Sequence, residues 1–244
     1  FQLINELVDF LKPLDKPVYR NVRWVVEEVL FLMNHLDLET LQKALSFRKW
    51  QPSLPGVQDD PYGRKDPYVY FYENFLAAYD SKLRKSRGVY YTPPPVVNFI
   101  VRGTDEISRD IFGIEQGLAD HKRVTVLDFA CGTGTFLLEI YRQIFERVPK
   151  GGKRDLLLKE HLLKNLHGFE MMIAPYTIAH LKLSQFLREQ DCPLSETERL
   201  PIWLTNTLDP ADSQLKLEGF PALAEETRQA QKVKNQPILV ITGN

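Results

Sequence analysis

The fold is decided by the stretch Val124-Thr-Val-Leu-Asp-Phe-Ala-Cys-Gly-Thr-Gly-Thr-Phe136. It starts with apolar residues typical of a buried strand, continues through two closely spaced glycines, and leads into apolar residues at helical spacing. Glycine permits a tight turn and lets a backbone come close to a ligand. We therefore predict a strand, a turn and a helix in direct succession, with a ligand site at the carboxyl end of the strand.

The second half of the chain alternates short apolar runs with helical patterns. Strands are predicted over residues 124–129, 165–169, 202–206 and 237–242, and helices over 135–147, 156–163 and 173–189. Such alternation is typical of a parallel sheet covered by helices. The predicted fold class is therefore α/β, with functional side chains gathered at the carboxyl ends of the strands.

Residues 1–80 have a different pattern, without strand alternation. Apolar residues recur at helical spacing over 22–33, whereas 51–67 is rich in proline and polar residues and is predicted to be a loop. We predict a helical leader or coupling module over residues 1–80 and a second domain over residues 81–244.

The composition favours a soluble globular protein, since 43% of the 244 residues are hydrophobic, 26% are charged and the formal net charge is −1. No apolar run reaches the ~18–20 residues that a membrane helix needs, so no membrane partner is predicted. Two cysteines, Cys131 and Cys192, are too few for a disulfide framework and fit a reduced intracellular protein. The histidines, including His161 and His180, lack the spacing of metal ligands, so structural roles and no metal are predicted.

The spacing of the glycine turn narrows the choice of ligand. A dinucleotide fingerprint needs a third glycine where Leu137 stands, and a phosphate-binding P-loop needs a lysine that does not follow here. Asp128 lies four residues before Gly132 and suits a ligand that carries a positive charge and no phosphate. S-adenosylmethionine, with its sulfonium and ammonium groups, fits this description.

Residues 128–136 resemble the cofactor loop of N6-adenine DNA methyltransferases, above all the large enzymes of Type I and single-chain Type I-like restriction–modification systems. The resemblance extends over roughly residues 82–244 and implies a Rossmann-like sheet that binds S-adenosylmethionine. It also implies a cytoplasmic enzyme of a prokaryote. The loop residues implied to bind the cofactor are Asp128, Ala130, Cys131, Gly132, Thr133, Gly134, Thr135 and Phe136.

Three further segments extend the resemblance. The Tyr-Tyr-Thr-Pro segment implies that Tyr91 and Thr92 line the methionine end of the cofactor, and Thr92 is also predicted to be a helix N-cap. Glu170 follows the second strand and is implied to bind the ribose hydroxyls. Asn206 follows the third strand at a position where family members often have Asp, and its side-chain carbonyl is implied to bind the cofactor adenine.

The last predicted strand leads to Gly243 and Asn244, which resemble the start of the Asn-Pro-Pro-Tyr/Phe motif of this family. The resemblance implies that Asn244 is catalytic and accepts a hydrogen bond from the amine of an adenine flipped out of the duplex. Because the chain begins with Phe1 and stops at Asn244, we expect it to be part of a longer enzyme and to be inactive alone.

The resemblance implies double-stranded DNA as a partner, bound mainly by regions outside this chain, and a helicase or nuclease module in the same polypeptide. A basic run from Lys82 to Arg87 either contacts DNA phosphates or forms a solvated surface. Two other functions stay open. The chain could belong to a methyltransferase that acts on protein glutamine or RNA, or it could be a non-catalytic coupling and interaction module.

Overall fold

The computed structural model describes residues 92–148, 152–208 and 221–244. The predicted helical leader over residues 1–80, the basic run from Lys82 to Arg87 and Tyr91 lie outside these residues. The predicted domain boundary at residue 80 therefore stays a prediction.

Four parallel strands form one sheet in the order β3-β2-β1-β4. The strands are β1 (Val126–Asp128), β2 (Leu166–Glu170), β3 (Ile202–Leu204) and β4 (Val240–Thr242). In the register of the sheet, Asp128 of β1 lies between Gly168 of β2 and Thr242 of β4, and Glu170 pairs with Leu204. The four predicted strands and the α/β class are confirmed. Strand β1 is shorter than its apolar run at both ends, and β3 and β4 are each shorter at one end.

Helices flank these strands along the chain. They are α1 (Pro94–Asp110), α2 (Thr135–Arg147), α3 (Gly152–Leu157, continued by a π-helical turn over Leu158–Leu162 and by Leu163–Asn165), α4 (Ile173–Glu189) and α5 (Pro221–Lys234). The predicted bounds of α2 and α4 are confirmed, α3 begins earlier than predicted, and α5 is an addition. Within the described residues, no helix is both long and apolar enough to cross a membrane.

The core lies on both faces of the sheet because successive strand residues point in opposite directions. Val126 and Leu166 pack with the apolar sides of α1, α2 and α4 in the larger cluster. Leu127 and Phe169 pack with Ala230 of α5 in the smaller one. The sheet therefore lies between helices on both faces, and a ligand site is expected at the carboxyl edge of its strands.

A buried carboxylate holds α1 against α2. Asp105 is 1% exposed and accepts a hydrogen bond from the backbone N–H of Leu118 at 2.8 Å. The guanidinium of Arg147, at the end of α2, forms an ion pair with the same carboxylate. Gly117 has a φ of +55°, and a Cβ at that position would overlap the Asp105 carboxylate. This arrangement fixes the direction of α1, and hence the position of Thr92 just before it.

Candidate cofactor and catalytic site

The predicted site residues gather at one edge of the sheet. Asp128 ends β1 and Glu170 ends β2, while Asn206 and Asn244 each lie two residues beyond the ends of β3 and β4. Because all four strands are parallel, their carboxyl ends meet at the same edge. The sheet therefore brings together side chains that are far apart in the sequence.

The turn between β1 and α2 requires both of its glycines. Gly132 and Gly134 have φ values of +54° and +76°, in the region that side chains rarely adopt. A Cβ on Gly134 would also lie 3.2 Å from the Cβ of Ala179 in α4. Gly134 is the N-cap of α2 and has no side chain to cap it, and the helix begins directly after the turn. A Cβ on Gly132 would meet only the carbonyl oxygen of Ala130, at 3.9 Å, so the backbone there is open to close approach by a ligand.

The glycine turn is tied to the end of β2 by two hydrogen bonds. The N–H of Cys131 donates to the carbonyl oxygen of Phe169 at 2.8 Å, and the N–H of Gly132 donates to Oε2 of Glu170 at 2.8 Å. The other carboxylate oxygen of Glu170 accepts the N–H of Met172 at 2.7 Å. Glu170 is therefore held in one orientation at the edge of the site.

The remaining loop residues divide between the core and the surface. Cys131 and Phe136 are buried in the larger core cluster, whereas Ala130 is exposed. A Cβ on Gly168 would lie 2.9 Å from Sγ of Cys131, so glycine is needed where the loop crosses β2. Burial raises the pKa of the Cys131 thiol well above its usual range, which keeps it protonated and unreactive.

Asp128 is the most perturbed acid of the site. Its side chain is fully buried; Oδ1 accepts the N–H of Ala130 at 3.3 Å, and Oδ2 has no hydrogen-bond partner within the described part of the chain. The pKa of Asp128 is raised to about 7, chiefly by burial and also by the charge of Glu170, while the bond from Ala130 and the charge of Lys182 oppose the rise. A buried carboxylate oxygen without a partner suits a cationic ligand.

Glu170 has a raised pKa for a related reason. Burial raises the pKa of Glu170, and the N–H groups of Met172 and Gly132 oppose the rise by stabilising the ionised form. Two partly or fully buried carboxylates thus lie at adjacent strand ends. Perturbed acids at one edge of a parallel sheet are typical of a binding or catalytic site.

Lys182 is a site residue that the sequence reasoning misses. It lies on α4 with 0% of its surface exposed, and Nζ donates to the hydroxyls of Thr135 at 3.3 Å and Thr133 at 3.5 Å. Its charge stabilises the ionised form of Asp128. The sequence does contain a signal for the burial of Lys182, which stands among the apolar residues of α4 that face the core.

The end of β3 is anchored to its neighbours. Oδ1 of Asn206 accepts the N–H of Leu208 at 3.1 Å, and the main-chain oxygen of Asn206 accepts from Nζ of Lys234 at 3.0 Å. The hydroxyl of Thr207 donates to the carbonyl oxygen of Phe129, just past β1. The side-chain carbonyl of Asn206 is therefore oriented by its own turn.

Thr92 does not cap α1, so the predicted N-cap is wrong. The N-cap is Pro93, without a side-chain hydrogen bond. A threonine cap bonds to the N–H of the second or third helical residue, and for Thr92 these would be Pro94 and Pro95, which have no N–H. Instead, Oγ1 of Thr92 accepts a hydrogen bond from Nδ2 of Asn244 at 2.8 Å. Two predicted site residues separated by most of the domain are thus in direct contact.

Gly243 brings the end of β4 against the acid of β1. Its φ is +139°, and a Cβ there would lie 2.9 Å from Oδ1 of Asp128 and 3.2 Å from the ring of Phe129. The N–H of Phe129 also donates to the carbonyl oxygen of Thr242 at 3.1 Å. A glycine just before Asn244 therefore allows the end of β4 to pack against the predicted cofactor acid.

His161 and His180 each form a hydrogen bond with the main chain. Nε2 of His161 lies 2.7 Å from the carbonyl oxygen of Leu118, and Nε2 of His180 lies 3.3 Å from that of Ile202. Burial lowers the pKa of His180 to about 4, which keeps its ring neutral. Among the residues placed by the structure, no group of three or more His, Cys, Asp or Glu side chains could hold a metal ion.

Comparisons with known proteins identify the family of the chain. A family model described as N-6 DNA Methylase matches residues 64–219. Similar solved structures include a DrdV–DNA complex determined by cryo-EM (28% identity, TM-score 0.55) and the ATP-dependent Type ISP restriction–modification enzyme LlaBIII bound to DNA (26%, 0.54). Another is a nuclease-deletion mutant of the Type ISP restriction–modification enzyme LlaGI in complex with a DNA substrate mimic (25%, 0.52).

Each of these three similarities covers 73% of this chain but only 12–16% of the other chain, so this chain spans a small part of those enzymes. No curated protein sequence matches it. The family match covers well over half of the chain and includes the glycine turn, Glu170 and Asn206. The resemblance to methyltransferases of restriction–modification systems is confirmed, and the chain belongs to the N-6 DNA methylase family.

Proposed function

We propose that the chain is the cofactor-binding part of a site-specific DNA adenine N6-methyltransferase of a restriction–modification system, with S-adenosylmethionine as methyl donor. The observation that carries the proposal is the contact between two strand ends. A Cβ on Gly243 would lie 2.9 Å from Oδ1 of Asp128, so Asn244 directly follows a residue that packs against the buried acid. Donor and acceptor must lie close together for direct methyl transfer. The residues proposed for the methyl donor and the residue proposed for the acceptor amine share this edge of the sheet.

The residues present fit S-adenosylmethionine. The orphaned Oδ2 of Asp128 offers a buried negative charge to a cationic cofactor, and Gly132 presents backbone without a side chain, where an added Cβ would meet only the carbonyl oxygen of Ala130 at 3.9 Å. Both carboxylate oxygens of Glu170 accept backbone N–H groups, and because an ionised carboxylate has about four acceptor positions it can still accept from a ribose hydroxyl. The cofactor supplies an electrophilic methyl group on a sulfonium. Asn206 completes the proposed surroundings of the cofactor.

The proposed acceptor is an adenine flipped out of double-stranded DNA. Its exocyclic amine is a weak nucleophile because the nitrogen lone pair is delocalised into the ring. Oδ1 of Asn244 would accept one N–H of that amine, which favours a pyramidal nitrogen and stabilises the charge that develops during attack. Asn244 is exposed at the site edge, where a base can reach it.

The remaining partners are proposed from the kind of protein matched. The similar structures are complexes with DNA, one of them of an ATP-dependent enzyme and another of a nuclease-deletion mutant. We propose that this chain likewise acts within a longer polypeptide that contacts double-stranded DNA and carries a helicase or nuclease module. A cytoplasmic location in a prokaryotic cell is part of the same proposal.

Isothermal titration calorimetry tests cofactor binding on the chain itself. We expect S-adenosylmethionine to bind in the micromolar range, and nicotinamide adenine dinucleotide to give no heat. Glu170→Ala and Asp128→Ala should each weaken binding by about tenfold or more, the effect of losing one good polar contact. Glu160→Gln is the matched control, since Glu160 is an exposed helix residue paired with Lys164. Equal binding by all four proteins would contradict the assigned roles.

The acceptor is tested with the full-length enzyme that contains this chain. Methyl transfer from labelled cofactor should go to the adenine amine of duplex DNA, and Asn244→Ala should abolish it. Transfer to protein glutamine or RNA with no transfer to DNA would replace the proposed substrate. Absence of both binding and transfer would favour a non-catalytic coupling module.

A further inference from the structure

We propose that Thr92 is a positioning residue that sets the orientation of the Asn244 carboxamide. The inference rests on the proposed function of Asn244 and on one contact: Nδ2 of Asn244 donates to Oγ1 of Thr92 at 2.8 Å. This role differs from the contact with the methionine end of the cofactor that the sequence implies for Thr92. It makes Thr92 part of the acceptor side of the site.

The orientation of a carboxamide decides what it can do. One face of the group carries an acceptor oxygen and the other an NH₂ donor, and a half-turn about the last side-chain bond exchanges them. An amine needs the oxygen, because an NH₂ group facing its N–H would repel it. With Nδ2 engaged by Thr92, Oδ1 of Asn244 is directed to the opposite side and can accept from the substrate amine.

The hydroxyl of Thr92 is held by a rigid support. Three prolines follow it at 93–95, and their fixed φ angles limit the backbone there. Helix α1 is in turn fixed to α2 through Asp105 and Arg147. At the other end of the contact, Gly243 packs on Asp128, which limits where Asn244 can lie. Both partners of the hydrogen bond are therefore preorganised, as a catalytic group requires.

Nuclear magnetic resonance tests the contact in the chain of 244 residues without any ligand. The side-chain NH₂ signals of Asn244 are assigned by their loss in Asn244→Asp. Thr92→Val keeps the shape of the side chain but removes the acceptor, so these signals should shift and become equivalent to those of a solvated amide. Thr92→Ser keeps the hydroxyl and should leave them nearly unchanged. Unshifted signals in Thr92→Val would overturn the proposal.

Steady-state kinetics of the full-length enzyme test the consequence. Thr92→Val should lower kcat about tenfold, the factor expected for one hydrogen bond of ordinary net strength. The dissociation constant for S-adenosylmethionine should stay within about twofold, and Thr92→Ser should restore kcat. Weaker cofactor binding with an unchanged kcat at saturation would make Thr92 a cofactor ligand and overturn the proposal. If the wild-type chain binds no cofactor, the proposed function fails, and the amide signals still report the contact by themselves.

Discussion

The N–H of Gly132 donates a hydrogen bond to Oε2 of Glu170 at 2.8 Å, across a separation of 38 residues in the sequence. The bond joins the glycine turn that follows β1 to the end of β2. It means that the acid proposed to bind the ribose also fixes the backbone proposed to surround the rest of the cofactor. Binding and loop geometry are therefore linked through one side chain.

We predict that Glu170→Ala loosens the glycine turn locally. The amide of Gly132 loses its acceptor, so its hydrogen exchange should accelerate, and the free energy of unfolding should fall by about 1–3 kcal/mol. The amide of Cys131 is an internal control because it donates to the main-chain oxygen of Phe169 instead. Unchanged exchange at Gly132 would show that the bond has no role in ordering the turn.

The affinity for S-adenosylmethionine should rise with pH. Burial raises the pKa of Asp128 to about 7, so the acid is largely protonated at pH 6 and largely ionised at pH 8. If the cationic cofactor needs the ionised form, its association constant should increase about tenfold over this interval. Calorimetry at several pH values measures this, and a flat profile would exclude Asp128 as the charge that the cofactor meets.

Asp128→Asn should stabilise the ligand-free chain at pH 8. The pKa of Asp128 is higher in the folded state than its ordinary value of 3.8, so the native protein holds a proton that the unfolded chain releases. The contribution of this group to the free energy of unfolding is therefore fully present below about pH 4. It is lost as the pH rises towards 7, by up to about 4 kcal/mol. The amide removes this cost, and urea unfolding at pH 5 and pH 8 would detect it. Its cofactor affinity should be low and independent of pH.

Gly243→Ala should destabilise the protein and impair methyl transfer. The added Cβ would lie 2.9 Å from Oδ1 of Asp128, at a φ of +139° that side chains rarely adopt. We expect a loss of about 1–3 kcal/mol in the free energy of unfolding. Gly103→Ala is the matched control, since nothing lies within 4 Å of its added Cβ in the middle of α1. That substitution should stabilise by about 0.5–1 kcal/mol through helix propensity.

Asp105→Ala should be among the more destabilising single changes outside the site. It leaves the N–H of Leu118 without its acceptor and the guanidinium of Arg147 without its buried partner. We expect a loss of about 3 kcal/mol, at the lower end for a buried pair because Arg147 is 35% exposed. Urea unfolding measures it. Glu160→Gln, which breaks only an exposed pair with Lys164, should change stability by less than about 0.5 kcal/mol.

Much of the fold follows from residue periodicity. The bounds of α2 and α4 agree with the sequence because their buried apolar residues recur at helical spacing. Helix α5 has few such residues, with Ala230 and Val233 among those buried, so its largely polar sequence gives no comparable signal. The strand ends are the least predictable feature because pairing with neighbours, rather than apolar character, decides where a strand stops.

The sequence predicts a candidate site residue only where its place next to a strand is enough to locate it. Asp128 and Glu170 end strands and Asn244 lies just beyond one, and parallel strands place their ends together. The bond between Thr92 and Asn244 depends on two distant segments, and three prolines after Thr92 prevent the cap that the local sequence suggests. Lys182 likewise gains its role from threonine hydroxyls on another element, which a helical pattern in α4 cannot reveal.

The strand order β3-β2-β1-β4 bears on how enzymes of this architecture diversify. The residues proposed to hold the methyl donor follow three adjacent strands, whereas Asn244 follows β4, which pairs with β1 from the other side. In the proposed function, substitutions around β4 would therefore change which amine is presented for methylation and leave the residues proposed for the methyl donor in place. Gly243 packs against Asp128 where these two sets of residues meet, so substitutions in either set must preserve that contact.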